Sequence, residues 1–260
     1  MIIARTATSI TFLGTSTATP DVGSDTASFL INHSILVDTG WNVVSNLRNL
    51  GVQPSDLKYV LFTHFHHDHY LSLPSLLYFL LSRKKLGEVT FIGPQAELEF
   101  VIKQALSFLQ VERFWPGVEL PKLIPLTPGQ SYEAEEFKFT TCPTLHPVEG
   151  VCYRFWDKVT GKEFSFAGDS AYYEPIIEHV RGTSLLIHEA SLGPVEADPE
   201  KNAFLHSGAI DAGKVASQAE VGQLMLVHGP LAKAEESVRA AQEVFTGHVL
   251  WPIEGKTYEV

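Results

Sequence analysis

Four histidines and an aspartate lie in the six residues from His64 to His69, in the stretch "HFHHDH", directly after an apolar run that ends at Phe62. Within it, His64, His66, Asp68 and His69 form the pattern His-x-His-x-Asp-His. On a turn that leaves a strand, this spacing brings several side chains toward one point. Neutral imidazoles and a carboxylate are ligands that Zn²⁺ and similar cations accept. Because a bound metal replaces the protons that would make neighbouring imidazoles repel one another, the cluster predicts a metal site.

Three more candidate ligands follow other apolar runs. His146 comes after "CPTL", Asp169 after the expected strand "EFSFAG", and His228 after "QLMLV". In layered α/β folds, polar residues at the carboxyl ends of strands collect at one edge. Together the candidates exceed the need of one tetrahedral ion, so we expect two divalent metal ions about 3.5–4 Å apart that activate a water. Imidazole and carboxylate ligands favour Zn here and also accept Mn or Fe.

The rest of the chain alternates short β-branched or aromatic runs with amphipathic helical segments. Both halves show strands followed by helices, which predicts two sheets packed face to face with helices outside. In "GPQAELEFVIKQALSFLQ" we expect Pro94 near a helix start. The expected buried stripe of that helix is Leu98, Val101, Ile102, Ala105, Phe108 and Leu109. Since no linker-like tract divides the halves, we expect residues 1–260 to form one domain.

Composition restricts the partners. The formal charge of −11, from 19 Lys+Arg and 30 Asp+Glu, disfavours nucleic acid, because phosphate backbones are bound by clustered basic residues. The basic cluster "SRKK" is typical of a solvated helix end. No signal or transit peptide is indicated, and the apolar segment from Leu71 to Leu81 is shorter than the roughly 20 residues that span a bilayer. We therefore expect a soluble, cytoplasmic protein without membrane contact, with Cys142 and Cys152 reduced in the core.

Several motifs, taken in order, resemble the metallo-β-lactamase superfamily and most of all its ribonuclease Z branch. They are "GTSTATP", "VDTG", "HFHHDH", "TLHPVEG", "FAGDS", "IHEAS", "HSGA" and "LVHGP". The resemblance runs from about Ile10 to Pro230 and implies an α/β (α+β) sandwich of the αββα type, with two mixed sheets between helices.

The same resemblance implies roles for individual residues. One metal would be held by His64, His66 and His146, and the other by Asp68, His69 and His228, with Asp169 bridging the two. Asp38 would orient a ligand imidazole, although a simple turn aspartate at a strand end is an equal alternative. Asp68 would also orient or deprotonate the attacking water.

The resemblance further implies an acid for the leaving group. In ribonuclease Z-like enzymes a matching His and Glu are thought to deliver this proton, which gives His206 as the donor and Glu189 as the carboxylate that keeps it protonated. His206 precedes an expected helix whose N-cap we predict to be Ser207. His188 is expected to be a buried structural residue, and His67 is expected to take no part in metal binding.

The chain also departs from ribonuclease Z enzymes. The segment between His146 and Asp169 suffices for two strands and a turn, so the inserted arm that grips tRNA is missing. "HGPLAK" stands where that family has a serine and an Arg-Tyr pair, and "VDTGW" lacks the acidic residue and Gln that typically follow. We therefore expect a dinuclear metal-dependent hydrolase, a phosphodiesterase on a small phosphate ester, in which a hydroxide between the metals attacks phosphorus.

Three alternatives stay open at this point. A tRNA 3′-processing endonuclease of the ribonuclease Z type would take its grip on RNA from the partner in a homodimer. A lactone or ester hydrolase would direct the same water at a carbonyl carbon. A metal-binding scaffold or sensor would perform no turnover.

Overall fold

The structure is a computed structural model and describes residues 5–260. Two seven-stranded mixed sheets pack face to face between helices, which confirms the predicted αββα sandwich. The first sheet has the order β14-β1-β2-β3-β4-β5-β6. Its strands are β1 (Ser9–Gly14), β2 (Ser28–Ile31), β3 (Ile35–Val37), β4 (Tyr59–Leu61), β5 (Thr90–Pro94), β6 (Lys122–Leu126) and β14 (Thr257–Glu259).

The second sheet has the order β13-β12-β11-β10-β9-β8-β7. Its strands are β7 (Ser131–Glu133), β8 (Phe137–Pro143), β9 (Val151–Asp157), β10 (Glu163–Phe166), β11 (Leu186–Glu189), β12 (Gln223–Val227) and β13 (His248–Leu250). The α-helices are α1 (Val43–Asn49), α2 (His67–Tyr70), α3 (Leu73–Ser82), α4 (Leu98–Phe108), α5 (Val111–Phe114), α6 (Glu174–Val180), α7 (Ala209–Gln218) and α8 (Ala234–Gln242).

Each sheet is an antiparallel meander that continues into parallel strands. Strands β1 to β3 pair antiparallel and β3 to β6 parallel, while β7 to β10 pair antiparallel and β10 to β13 parallel. Each of the six parallel pairs is joined through at least one helix, because a parallel connection must cross back over the sheet. The last strand, β14, returns to the first sheet and pairs antiparallel with β1.

Apolar side chains form three layers that hold the sandwich together. The middle layer lies between the sheets and contains aromatic pairs such as Phe29 and Phe166, whose ring centroids are 5.4 Å apart. One outer layer packs α1, α3 and α4 on the first sheet, and the other packs α6, α7 and α8 on the second. Both cysteines are free and buried, with Cys142 opposite Cys152 in the β8–β9 ladder.

Two expectations about α4 are wrong. Pro94 ends β5 opposite Leu126, and the helix begins only at Leu98; a proline fits this strand end because no ladder bond from its nitrogen is needed there. Phe108 is the last residue of the helix and is 75% exposed, whereas Leu109, which follows the helix, packs against the core as expected. The expected stripe is therefore wrong at Phe108 alone.

Hydrogen bonds join the two sheets at the end where β4 and β10 finish. The Val151 N–H donates to the Thr63 carbonyl at 2.9 Å, and the buried Tyr153 hydroxyl donates to the Phe62 carbonyl at 2.7 Å. Gly168 follows β10 with φ +66°, and a Cβ there would lie 2.7 Å from the Thr63 Cβ. The loops after β4 and β10 are thus held too close for any side chain at position 168.

We expect Gly168→Ala to destabilise the protein far more than Gly182→Ala. Both positions have positive φ, but a Cβ at Gly182 would meet no atom within 4 Å. The control should lose roughly 1–2 kcal/mol from backbone strain alone, and Gly168→Ala should lose a further ~1–3 kcal/mol from overpacking against Thr63. Denaturant unfolding measures both values, and equal losses would show that the sheets do not meet this tightly.

Candidate metal centre

The predicted ligands all lie at one edge of the sandwich. His64 and His66 follow β4, and Asp68 and His69 lie in the short helix α2 that comes next. The other three ligands, His146, Asp169 and His228, follow β8, β10 and β12. These three strands run in the same direction within the second sheet, so their carboxyl ends meet at the edge that faces the end of β4.

The first group of ligands consists of His64, His66 and His146. One nitrogen from each ring lies within 4.8 Å of the others. The His146 Nε2 and His66 Nδ1 atoms are 2.8 Å apart, and the His146 Nδ1 faces the Leu205 carbonyl at 3.4 Å. The structure therefore brings the three imidazoles to a common point, as the sequence predicted.

The second group consists of Asp68, His69 and His228. The Asp68 Oδ2 lies 3.0 Å from the His228 Nε2 and 3.3 Å from the His69 Nε2. Asp169 lies between the groups, because its Oδ2 is 3.7 Å from the His64 Nε2, 3.4 Å from the His69 Nε2 and 3.6 Å from the His228 Nε2. One carboxylate oxygen thus faces imidazoles of both groups.

A buried aspartate behind the groups fixes two of the rings. Asp38 directly follows β3 with a φ of 53°, and its Oδ2 accepts from the His69 Nδ1 at 2.9 Å and from the Thr63 hydroxyl at 2.8 Å. The Thr63 oxygen in turn accepts from the His64 Nδ1 at 3.1 Å. Because both Nδ1 atoms donate protons, Nε2 is the atom of each ring that can offer a lone pair to a metal. Asp38 is therefore both a turn residue and the group that orients these imidazoles.

The ring of His228 is oriented by a residue that sequence reasoning missed. The Ser191 hydroxyl donates to the His228 carbonyl at 2.8 Å and accepts from the His228 Nδ1 at 2.8 Å. This arrangement leaves the His228 Nε2 free to face Asp68 and Asp169. The serine belongs to the motif "IHEAS", which is the signal that could have identified it.

The two groups differ in their charge. Burial lowers the pKa of His64 well below its usual value and that of His146 to about 4, so these rings are neutral. In the second group, burial lowers the pKa of His69 and of His228, but the Asp169 and Asp68 carboxylates outweigh it and raise both pKa values above normal. Without a metal, the carboxylates keep the His69 and His228 rings protonated. A bound cation would replace those protons.

The chemistry of the centre fits a divalent cation. The His64 Nε2 and the His69 Nε2 are buried and have no hydrogen-bond partner among residues 5–260. Leaving such atoms unpaired costs free energy unless they bind something, and both face the carboxylate of Asp169. Imidazole nitrogens around carboxylate oxygens form the donor set that borderline divalent metals prefer.

Beside the ligands lies the predicted acid pair. The His206 Nδ1 donates to the buried Glu189 Oε1 at 2.9 Å and lies 3.8 Å from the Asp169 Oδ2. Burial lowers the pKa of His206, but the Glu189 carboxylate outweighs this effect and raises it to about 9. Glu189 is itself fixed by the Ser170 N–H, which donates to its Oε1 at 2.8 Å.

The loop before α7 holds His206 in place and differs from the prediction. Asn202 grips the backbone of His206, because its Oδ1 accepts the His206 N–H at 3.0 Å and its Nδ2 donates to the His206 carbonyl at 2.6 Å. The predicted N-cap, Ser207, is wrong: Gly208 occupies that position, and its N–H donates to the Asp211 carboxylate. The Ser207 hydroxyl donates instead to the Ser170 carbonyl at 2.7 Å.

Two histidines lie outside the centre. The side chain of His67 is exposed and packs beside Tyr70 at a ring-centroid distance of 5.7 Å. His188 is 1% exposed in β11, and its Nδ1 faces the Glu189 carbonyl at 3.0 Å. Neither ring is among the groups of side chains that can share a metal in the described part of the chain.

The family is decided by comparison of the whole sequence. A model described as the beta-lactamase superfamily domain matches residues 33–229, which is most of the chain and includes every predicted ligand. The chain belongs to the metallo-β-lactamase superfamily. With His and Asp clusters able to hold divalent metal ions, this member of the superfamily is a metal-dependent hydrolase.

Relatives place this metallo-β-lactamase chain in the ribonuclease Z-like branch. It is 28% identical to the probable metallo-hydrolase YhfI of Bacillus subtilis over 92% of this chain and 95% of the relative. The crystal structure of YhfI superposes with a TM-score of 0.81 at 26% identity, covering 98% of this chain and 100% of the other. The ribonuclease Z of Ignicoccus hospitalis is 26% identical over 74% and 77% of the two chains. The short form of human tRNase Z shares the fold, with a TM-score of 0.76 at 18% identity over 96% and 98% of the chains.

The substitution Asp38→Asn should weaken metal binding roughly 10–100-fold, because loss of an orienting partner has this effect at other metal sites. The amide conserves volume but places a donor opposite the His69 Nδ1 or the Thr63 hydroxyl. Ser191→Ala should weaken the binding of only one ion, the one that His228 would hold. Competition with a chromophoric chelator measures both affinities.

His67→Ala is the matched control for these variants and should bind metal as the natural chain does. Unchanged affinity in Asp38→Asn would mean that the carboxylate serves the turn alone.

Proposed function

We propose that the protein is a dinuclear phosphodiesterase that hydrolyses small phosphate esters. The observation that carries the proposal is the position of the Asp169 Oδ2, which is 3.4–3.7 Å from imidazole nitrogens of both ligand groups. A single oxygen between two donor sets suits a bridging ligand. The acid pair of His206 and Glu189 adjoins that oxygen.

In the proposed site, His64, His66 and His146 would hold one ion, and Asp68, His69 and His228 would hold the other. Asp169 would be shared between the two groups, and Zn²⁺ would suit this donor set, with Mn²⁺ and Fe²⁺ as substitutes. When bound, the two ions would lower the pKa of a water molecule so that it ionises near neutral pH. They would also offset the charge that develops on the phosphoryl oxygens.

The protein's own residues supply orientation and proton transfer. The side chain of Asp68 is 13% exposed, so it reaches the opening of the site, where it can orient the attacking water and accept its proton. His206, with 19% of its side chain exposed, presents its Nε2 to the leaving-group oxygen while Glu189 holds its Nδ1. Delivery of a proton there removes the need to expel an alkoxide.

A second candidate function is cleavage at the 3′ end of precursor tRNA. The relatives that bear the name ribonuclease Z favour it. The net charge of −11 and the short connection between β8 and β10 oppose it, because tRNA binding requires several contacts between basic side chains and phosphates.

His206→Ala should retain metal yet lose roughly 10²-fold or more in kcat on diesters with alkyl leaving groups. On p-nitrophenyl diesters the loss should be much smaller, because p-nitrophenolate needs little protonation. Steady-state kinetics on the two substrate types, with metal content measured alongside, test this role. Equal losses on both substrate types, or loss of metal, would show that His206 positions the substrate or ligates a metal instead of donating a proton.

Metal-loaded protein should hydrolyse bis(p-nitrophenyl) phosphate and should cleave precursor tRNA poorly or not at all. The two assays, run on one preparation across a range of salt concentrations, separate the candidates. Efficient tRNA cleavage that falls steeply with added salt would favour the second candidate, since salt weakens phosphate contacts.

A further inference from the structure

Apart from the histidines of the centre, the loops around the metal centre carry almost no positive charge. The segments that bear its residues or hydrogen-bond to those segments are 14–26, 38–42, 62–72, 143–150, 167–173, 189–208 and 227–231, and Lys201 is the one lysine or arginine in them. Lys201 is paired with Asp198 at 2.8 Å. The same segments carry additional carboxylates, among them Glu149, Glu196 and Glu200. A substrate with further negative charges would therefore meet repulsion around the metals rather than a binding partner.

Large apolar side chains are exposed in these same loops. Five of them, each within three residues of a proposed ligand, of the acid pair or of Asp38, form what we call the apolar rim: Trp41 (39% exposed), Leu71 (47%), Leu145 (38%), Leu192 (40%) and Phe204 (70%). Leu145 directly precedes the ligand His146, and Phe204 lies two residues before His206. Both neighbouring rings are only partly buried and their centroids are 5.1 Å apart, so Leu145 and Phe204 belong to loops that meet where the site opens to solvent.

We propose that the site selects monoanionic esters whose non-reacting groups are apolar, and that it discriminates against substrates with additional anionic groups. This inference rests on the proposed function and names its substrate class. The metals and His206 would balance the single negative charge of a phosphodiester. The apolar rim would contact the groups on either side of the phosphorus. Burial of an aromatic group against the rim stabilises binding, because apolar surface leaves water.

Three phosphinates test the selectivity without turnover, because their P–C bonds cannot be hydrolysed. Dimethylphosphinate, diphenylphosphinate and bis(4-carboxyphenyl)phosphinate share one PO₂⁻ group. On metal-loaded protein, calorimetry should find diphenylphosphinate bound at least about tenfold more tightly than either of the others. Equal affinity for the diphenyl and dimethyl compounds, or tighter binding of the carboxylated one, would overturn the inference.

Two serine variants locate the selectivity. Phe204→Ser should reduce the ratio of diphenyl to dimethyl affinity at least about threefold, because it removes one apolar side chain of the rim. Phe100→Ser, in α4 and 63% exposed, is the matched control and should leave the ratio unchanged. Equal ratios in the two variants would contradict the assignment to the rim.

Turnover of phenyl p-nitrophenyl phosphate by the same preparation tests the proposed function separately. If the phosphinates bind with the expected affinities but the diester is not hydrolysed, the proposal of a phosphodiesterase is overturned. The proposed selectivity is still supported by that result. Turnover without any phosphinate preference would overturn the selectivity alone.

Discussion

The arrangement of the site depends on the hydrogen bonds that the buried Asp38 carboxylate accepts. Its Oδ1 accepts the Thr63 N–H at 2.9 Å, and its Oδ2 accepts from the Thr63 hydroxyl and from His69. Hydrogen bonds to a charged group contribute about 1.5–3 kcal/mol each, and a buried carboxylate without them is costly. These hydrogen bonds therefore fix the conformation of the loop after β4, and that conformation determines where His64 and His69 point.

The same loop is also confined from the second sheet. Val151 and Tyr153 donate hydrogen bonds to carbonyls at its start, and Gly168 packs against the Thr63 side chain with no room for a Cβ. Asp169 follows Gly168 directly, so this close approach sets the distance between the proposed bridging carboxylate and the imidazoles. A metal centre that takes ligands from both sheets requires this rigidity, because small displacements of a ligand weaken coordination.

Local patterns in the sequence predicted much of this molecule. The two facing sheets with outer helices follow from the pattern of strands and helices repeated in the two halves, and the ligands follow from residue type and position at strand ends. Pro94 was misplaced because β5 continues through it in its ladder with β6, and Phe108 was misplaced because the end of α4 depends on what the helix packs against and not on its own periodicity. Thr63 escaped attention although it is adjacent to His64, because a threonine at a strand end carries no chemical signal without its partner Asp38.

Residues that act across long stretches of chain were the hardest to predict. Ser191 meets His228, 37 positions away, only because β11 and β12 are neighbours in parallel. Asn202 clamps His206 within a loop that has no regular pattern. Both contacts depend on the tertiary arrangement, which composition and spacing do not reveal.

Anomalous diffraction at the metal absorption edge, from crystals of metal-loaded protein, tests the proposed dinuclear centre most directly. The geometry predicts two peaks about 3.5–4 Å apart, one beside His64, His66 and His146 and one beside Asp68, His69 and His228, with Asp169 in contact with both. A single peak, or a peak held by His206 and Glu189, would contradict the dinuclear centre and the role of His206 as the proton donor.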